Sequence, residues 1–243
     1  MGTAVMVTSG KGGTGKTSLT AGVASCLAAL GRRVLCVDLD IGLRNLDLTL
    51  GMADRALMDF TDVMDYRCPL LTAAMEQPEI HGLYLLTAPH TSPGLDPKRF
   101  QAVISEACEY FDFVFMDSPA GLGEGFQLAM AAADRVIVVS SVDPAALRDA
   151  QRTVAELHTL TQLHLVMNRI QPKLISKLRT SIDSAMDAAG LPLLGVVPED
   201  PNVTMATAAG VPLILASCKG AAPAYLNISK RLMGQRVPLL RIR

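Results

Sequence analysis

The apolar residues of this 243-residue chain fall into short runs separated by segments with helical spacing. The short runs predict buried β-strands at residues 3–9, 33–38, 83–87, 113–117, 135–140 and 163–167, and a further strand that ends at 195–200. Apolar residues three or four positions apart predict helices at residues 16–30, from 98 to 111, at 144–160 and at 225–233. Strands and helices therefore alternate, which predicts an α/β fold. We expect a three-layer sandwich, in which a mostly parallel, twisted sheet has helices on both faces.

The segment from residue 51 to residue 97 is less regular. Gly, Pro and Asp recur in it, and the apolar spacing predicts short helices near residues 54–65 and 70–76. Residues 88–97 are rich in turn-forming residues and predict a connection without regular structure. No candidate chemistry is assigned to this segment.

Composition narrows the class of protein. Half of the residues are hydrophobic and the mean hydropathy is +0.32, so the chain can build one large core, and we expect a single domain over residues 1–243. A net charge of −1 argues against a strongly basic nucleic-acid binder. No apolar run is long enough to span a bilayer. The five cysteines are scattered and the N-terminus leads directly into a strand, so we expect a reduced, cytoplasmic protein without a signal peptide.

The most informative motif is a phosphate-binding loop. The letters G-K-G-G-T-G-K-T at residues 10–17 fit G-x-x-x-x-G-K-[ST], and the motif lies between a predicted strand and a predicted helix. Backbone N–H groups in such a loop surround a phosphate at the positive end of the helix. Lys16 supplies charge between the outer phosphates, and the Thr17 hydroxyl can ligate magnesium. A glycine-rich turn formed by chance is the alternative. We expect ATP to bind at Gly10, Lys11, Gly12, Gly13, Thr14, Gly15, Lys16, Thr17 and Ser18.

Acidic residues follow two of the predicted strands. Asp38 and Asp40 end the run at 33–38, and Asp117 ends the run at 113–117. Open α/β sheets bind ligands at the carboxyl ends of their strands. Asp38 and Asp40 can therefore hold metal-bound water or orient an attacking water, and Asp117 can serve the metal opposite Thr17. Helix caps and ordinary loop acids would give the same pattern.

Three segments resemble the MinD/ParA family of ATPases, which has a deviant phosphate loop. They are K-G-G-T-G-K-T at residues 11–17, D-x-D-I-G-L-R-N-L-D at 38–47 and D-S-P-A-G at 117–121. The resemblance implies that Lys11 reaches across an ATP-sandwiched dimer and that Asn45 lies at the dimer interface. It also implies that Asp40 helps to position the attacking water and that Asp117 serves the magnesium ion. From the residues alone, a solvated Lys11 stays open.

The residues that contact the base of the nucleotide are assigned mainly by resemblance. An asparagine amide carries a donor and an acceptor, so Asn168 can bind an adenine edge. The family places a base-contacting asparagine in the segment that matches Asn168-Arg169, and V-P-E-D at residues 197–200 resembles a base-pocket segment. These similarities imply contacts from Asn168, Arg169, Pro198 and Asp200. A structural asparagine and a turn would look the same.

Two charged surfaces are candidates for partners. On the predicted helix 144–160, polar residues line one side, which is typical of a solvated face: Arg148, Asp149, Arg152 and Glu156. The resemblance implies instead that this helix binds regulatory proteins. Residues 201–243 contain no acid and are basic, through Lys219, Lys230, Arg231, Arg236, Arg241 and Arg243.

The basic segment has two interpretations. A last helix packed on the core with a solvated face is one, and attraction to an anionic membrane or to DNA is the other. Pro238 breaks any helix that would continue to the end, and the residues after it are few for a strong interfacial helix.

Together these features predict a slow, magnesium-dependent ATPase that forms an ATP-switched homodimer. The resemblance implies a role in positioning the division site, in the cytoplasm or peripherally on the membrane. The alternative is a ParA-like partition ATPase that uses DNA or a protein partner as its surface. An iron–sulfur carrier would need cysteines at strand ends, which Cys68 and Cys108 do not provide, and no motif specific to a small-molecule kinase is present. The intact Asp40 and Asp117 argue against a scaffold with little turnover.

Overall fold

A twisted sheet of eight strands forms the centre of the structure, a computed structural model that describes residues 1–53, 55–91, 94–157, 160, 162–174 and 181–240. The strands are β1 Thr3–Thr8, β2 Val34–Asp38, β3 Met75–Glu76, β4 Leu83–Leu86, β5 Phe113–Asp117, β6 Arg135–Ser140, β7 Leu163–Ile170 and β8 Leu193–Pro198. Their order in the sheet is β3-β4-β2-β5-β1-β6-β7-β8. Every pair is parallel except β3–β4, which is antiparallel.

Helices cover both faces of this sheet, so the expected three-layer α/β sandwich is confirmed. The helices are α1 Lys16–Ala29, α2 Leu46–Thr49, α3 Phe60–Met64, α4 Leu70–Ala73, α5 Pro97–Tyr110, α6 Glu124–Ala132, α7 Pro144–Glu156, α8 Ile182–Ala189, α9 Pro201–Ala208, α10 Leu213–Ala216 and α11 Ala221–Leu232. One buried apolar cluster lies between the sheet and α5, α6, α7 and α8, and a second lies between the sheet and α1, α9, α10 and α11. None of the helices in the described ranges is long and apolar enough to cross a membrane.

One local signal starts three of these helices. An aspartate followed by a proline precedes α5, α7 and α9, at Asp96, Asp143 and Asp200. In each case the carboxylate accepts a hydrogen bond from the N–H two residues later, while the proline occupies a helical position that needs no donor. The first residues of these helices therefore follow directly from the sequence.

Several predicted elements have different bounds in the structure. The predicted helix 54–65 is only α3, because a capping box between Asp59 and Asp62 fixes its start. The predicted helix 70–76 ends at Ala73, and Met75–Glu76 instead pairs with β4 as an edge strand.

The predicted strand 163–167 continues to Ile170. Helix α7 ends at Glu156 rather than at residue 160. Residues 54, 92–93, 158–159, Arg241 and Arg243, which fall in predicted segments, lie outside the described residues.

Helix α11 packs beside α1 and against β8, as part of the second core. Its buried Tyr225 ring rests on Gly22 of α1, where an added Cβ would meet the ring at 2.2 Å. Its Ile228 rests in the same way on Gly195 of β8, at 2.4 Å. Because the sheet, α11 and α2 all pack against α1, it is buried almost all round. The expected packing of a last helix on the core is confirmed.

The described basic residues near the C-terminus differ in exposure: Lys219 and Arg236 are exposed, as a solvated face requires, whereas Arg231 is not. Arg231 is half-buried and donates to the Leu194 carbonyl at 2.7 Å and to the Val237 carbonyl at 2.8 Å and 3.1 Å. The guanidinium therefore joins α11, the edge strand β8 and the segment after α11, because its fork carries enough donors for all three bonds.

We expect Gly22→Ala to lower the free energy of unfolding by about 1–3 kcal/mol, because the new methyl group overpacks the contact with Tyr225. The better helix propensity of alanine would by itself stabilise α1 by up to about 1 kcal/mol. The sign of the change in the free energy of unfolding therefore distinguishes the two effects. Urea denaturation followed by circular dichroism measures the change. Glu109→Ala, at an exposed position on α5, is the control, since it changes helix propensity without adding a buried contact. An unchanged or higher stability of Gly22→Ala would show that α11 adjusts freely on α1.

Candidate functional site

The loops that follow β1, β2, β5, β7 and β8 meet at the carboxyl edge of the sheet. The phosphate loop, residues 10–15, connects β1 to α1 at this edge. Gly13 and Gly15 adopt φ values of +77° and +85°, which favour glycine. Open space surrounds the position of a Cβ at Gly12 and Gly13, and no side chain caps the first turn of α1. The first N–H groups of α1 are thus available for an anion, as the motif predicts.

Two residues at the end of β7 hold the phosphate loop through hydrogen bonds to its backbone carbonyls. The Asn168 amide donates to the carbonyl of Thr14 at 2.8 Å and to that of Gly15 at 3.3 Å, and the Arg169 guanidinium donates to the carbonyl of Gly13 at 2.9 Å. The sequence analysis assigned these two residues to the base, with a structural asparagine as the alternative, and did not identify their hydrogen bonds to the loop. Contact between Asn168 and adenine stays a prediction.

The charged groups at the base of the loop form a buried cluster. Asp38 and Asp117 are partners in the register between β2 and β5, and both are almost fully buried. Burial raises the pKa of Asp117 to about 7 and that of Asp38 to about 6, and the mutual repulsion adds to the shift at Asp117. Lys16 is the buried cation of the cluster, and burial lowers its pKa while Asp117 and Asp40 raise it. Hydrogen bonds from Thr17 and Thr20 favour the charged form of Asp117.

These groups fit a magnesium ion that arrives with a nucleotide. The described residues contain no group of three or more His, Cys, Asp or Glu side chains that would form a complete metal site. Magnesium is commonly bound through one or two carboxylates together with phosphate oxygens and water. Asp117 beside Thr17 offers that arrangement, and burial together with repulsion from Asp38 raises the pKa of Asp117, so a bound cation would favour its charged form.

The loop after β2 is organised by Asp38. One carboxylate oxygen accepts the N–H of Asp40 at 2.9 Å, and the other accepts the N–H of Leu46 at 3.1 Å. Asp38 was predicted as a metal residue, and the structure adds this second task. Asp40 is partly exposed and close enough to Lys16 to affect its pKa, whereas Asn45 is exposed before α2. Both positions suit the roles that the sequence suggested.

A cavity of about 260 Å³ opens beside the phosphate loop on the β8 side. Its lining includes all four residues proposed for the base, which are Asn168, Arg169, Pro198 and Asp200. Ser18, Tyr225 and Glu199 also line it, and the sequence analysis left Glu199 unassigned. Asp200 is held in place by the N–H groups of Asn202 and Ala221, so its carboxylate is also the cap of α9. The signal for that cap, an aspartate before a proline, was present in the sequence.

The two lysines of the phosphate loop occupy different environments. Lys16 is buried, whereas the Lys11 side chain is 48% exposed and pairs with Asp143 at 3.0 Å. Asp143 caps α7, and the Asp149 backbone of that helix lies against Gly10, where a Cβ would meet its carbonyl oxygen at 2.2 Å. Helix α7 is therefore in direct contact with the phosphate loop. Its outer side carries the ion pair Asp149–Arg152 at 3.5 Å.

Comparison with known proteins agrees with this site. Residues 5–213 match the family model described as the CobQ/CobB/MinD/ParA nucleotide binding domain. The septum site-determining protein MinD of Bacillus subtilis is 38% identical over 98% of this chain and 92% of its own length.

Solved structures agree as well. MinD in the MinC:MinD cell division protein complex of Aquifex aeolicus superposes with a TM-score of 0.92 at 33% identity, over 98% of both chains. MinD of Pyrococcus horikoshii, solved with Mg-ADP, has a TM-score of 0.84 at 29% identity over 96% of both chains. The chain therefore belongs to the CobQ/CobB/MinD/ParA nucleotide-binding family, and within it to the MinD proteins.

Proposed function

We propose that this protein is a magnesium-dependent ATPase that forms an ATP-switched homodimer and helps to position the division site. The observation that carries the proposal is the contrast between the two lysines of the phosphate loop. Lys16 is buried beside Asp117, where it serves the nucleotide of its own subunit. Lys11 is exposed on the same loop, where it can serve the nucleotide of a second subunit.

Catalysis in this site depends on placement and electrostatics rather than on a covalent intermediate. Magnesium, when bound, neutralises negative charge on the outer phosphates. Thr17 and Asp117, together with Asp38, would hold it directly or through water. Lys16 and the N–H groups of residues 12–17 bind the phosphates, and Asp40 orients the attacking water.

Dimerisation requires a change at Lys11. Its ammonium is paired with Asp143 of its own subunit, so this ion pair must break before Lys11 can reach a second nucleotide. Exposed pairs of this kind are weak, so ATP binding can supply the difference. Asn45, exposed before α2, is a further candidate residue of the dimer interface. The dimer thus persists with ATP and separates after hydrolysis.

We expect Lys11→Ala to abolish dimerisation with a non-hydrolysable ATP analogue, because the only charge that crosses the interface in this scheme is lost. Asp143→Asn should instead strengthen the dimer by about two- to fivefold, since it releases Lys11 from an exposed ion pair. Asparagine still caps α7. Light scattering after size-exclusion chromatography measures both changes.

Asp187→Asn, at an exposed position on α8, is the matched control and should leave the dimer unchanged. If Lys11→Ala dimerised as readily as the unmodified protein, Lys11 would not serve the nucleotide of the second subunit.

We expect the affinity for Mg·ADP to fall as the pH is lowered, because the pKa of Asp117 is raised to about 7. Below that pH the carboxyl group holds a proton that magnesium must displace, and above it the carboxylate is ready to bind. The fall should reach up to about tenfold for each pH unit. Titration with a fluorescent ADP analogue from about pH 8 to about pH 6 measures it.

The phosphates of ADP also titrate, so the same series is run with Asp117→Asn, which has no group to titrate there. The variant should bind more weakly and show a flatter pH profile. Identical slopes for both proteins would mean that Asp117 does not serve the magnesium ion.

The ATP-bound dimer acts by binding a partner, which is either a surface or another protein. MinD of Aquifex aeolicus was solved in complex with MinC. By similarity, we infer that a regulatory protein binds this chain near α7, and that the ATP dimer acts from the cytoplasm on an anionic membrane. The ParA-like alternative uses DNA instead.

Co-sedimentation with anionic liposomes, with ATP compared with ADP, tests the membrane output. ATP-dependent pelleting supports the division-site role. Solubility with both nucleotides, combined with ATP-dependent DNA binding that weakens steeply with salt, would favour the ParA-like alternative.

A further inference from the structure

Strand β7 contains an irregularity at the edge of the nucleotide cavity. Its parallel pairing with β8 shifts register between Met167 and Ile170. Within this bulge Arg169 adopts a φ of +57°, which is uncommon for a residue other than glycine. Bulges often redirect side chains beside active sites. Here the two residues in the bulge, Asn168 and Arg169, both reach the phosphate loop.

The Arg169 guanidinium joins two distant parts of the site. Its Nε and Nη2 donate to the two carboxylate oxygens of Glu199, at 2.8 Å and 3.2 Å, in a bidentate pair. Its Nη1 donates to the Gly13 carbonyl at 2.9 Å. Glu199 follows β8, and its N–H donates to the Ile170 carbonyl at 3.0 Å, which fixes its backbone beside the bulge. One side chain thus links the loop after β1 to the residue after β8.

This link joins loops that follow strands which are not neighbours in the sheet. Strands β6 and β7 lie between β1 and β8, so the loop after β1 reaches over them to meet Arg169 and Glu199. Gly13, Arg169 and Glu199 all belong to the lining of the cavity of about 260 Å³ that the proposed function assigns to the base of the nucleotide. The three residues therefore form a continuous wall along one side of that cavity.

We infer that Arg169 and Glu199 act as a strap along the nucleotide cavity, and that this strap must open before ADP can leave. The inference rests on the proposed function, because it assumes that nucleotide occupies the cavity. The pair contributes little to folding, since the two side chains are 53% and 32% exposed. Its position instead makes it a control on the rate of nucleotide exchange.

The strap differs from a direct contact between Arg169 and nucleotide. A strap depends equally on both partners, so removing either one has the same effect and removing both adds nothing further. A direct contact depends on Arg169 alone, and loss of Glu199 would then leave ADP binding unchanged or stronger. The roles can therefore be separated by comparing substitutions of the two residues.

The experiment measures the dissociation rate of a fluorescent ADP analogue by stopped flow, with excess unlabelled ADP. Glu199→Gln removes the charge, and Arg169→Lys keeps the charge but loses the bidentate fork. We expect each variant to release ADP about three- to fivefold faster, as suits a partly exposed ion pair. The double variant should be no faster than the single ones. Arg32→Lys, in an exposed pair with Asp112 that no part of the proposed site uses, is the matched control.

Salt gives a second measurement that needs no variant of Arg169. Salt screens an exposed ion pair, so ADP release from the unmodified protein should accelerate between about 50 mM and about 500 mM salt. Release from Glu199→Gln should respond less, because its strap is already open. Equal salt responses would overturn the inference even if Arg169→Lys failed to fold.

Three further outcomes have defined meanings. Faster release from Arg169→Lys alone, with Glu199→Gln unchanged, would replace the strap with a direct contact. Normal ADP binding with unchanged rates in both variants would overturn the strap and leave the proposed function intact. Failure of the unmodified protein to bind the ADP analogue would overturn the proposed function, and the strap with it.

Discussion

Two buried carboxylates lie opposite each other at the ends of β2 and β5, and the rest of the site is arranged around them. Asp38 and Asp117 share an apolar environment in which neither is easily ionised, and Lys16 is the buried cation beside them. Such groups are costly to bury unless their charges are balanced. Burial is the main cause of the raised pKa of each group, and repulsion from Asp38 adds to the shift at Asp117. A divalent cation bound here would favour the charged form of both carboxylates.

The surroundings keep these groups in place. Asp38 uses both oxygens to fix the loop that carries Asp40, and β7 fixes the phosphate loop through Asn168 and Arg169. Helix α7 closes the other side through its contact with Gly10. Preorganisation of this kind lowers the cost of arranging charged groups at the moment of reaction. It also explains why residues that never touch the phosphates can still affect the site.

The central strands, the phosphate loop and the acids at the strand ends were predictable, because each depends on residues adjacent in the chain. Strands buried on both faces give apolar runs, and the phosphate loop has a fixed spacing. The bulge at Arg169 was not predictable, because it depends on the register with β8. The pair Lys11–Asp143 joins residues 132 positions apart, which no local pattern indicates. Strand β3 has only two residues and no periodicity, whereas the cap at Asp200 carried a usable signal that was assigned to the base instead.

The two edges of the sheet are protected in different ways. At one edge, β3 offers only two residues for pairing. At the other, the Arg231 guanidinium occupies the Leu194 carbonyl of β8. Short edges and blocked edges both discourage unwanted pairing between sheets of different molecules. If the protein associates repeatedly through its nucleotide-binding face, as the proposed function requires, this protection removes a competing route to aggregation along its strands.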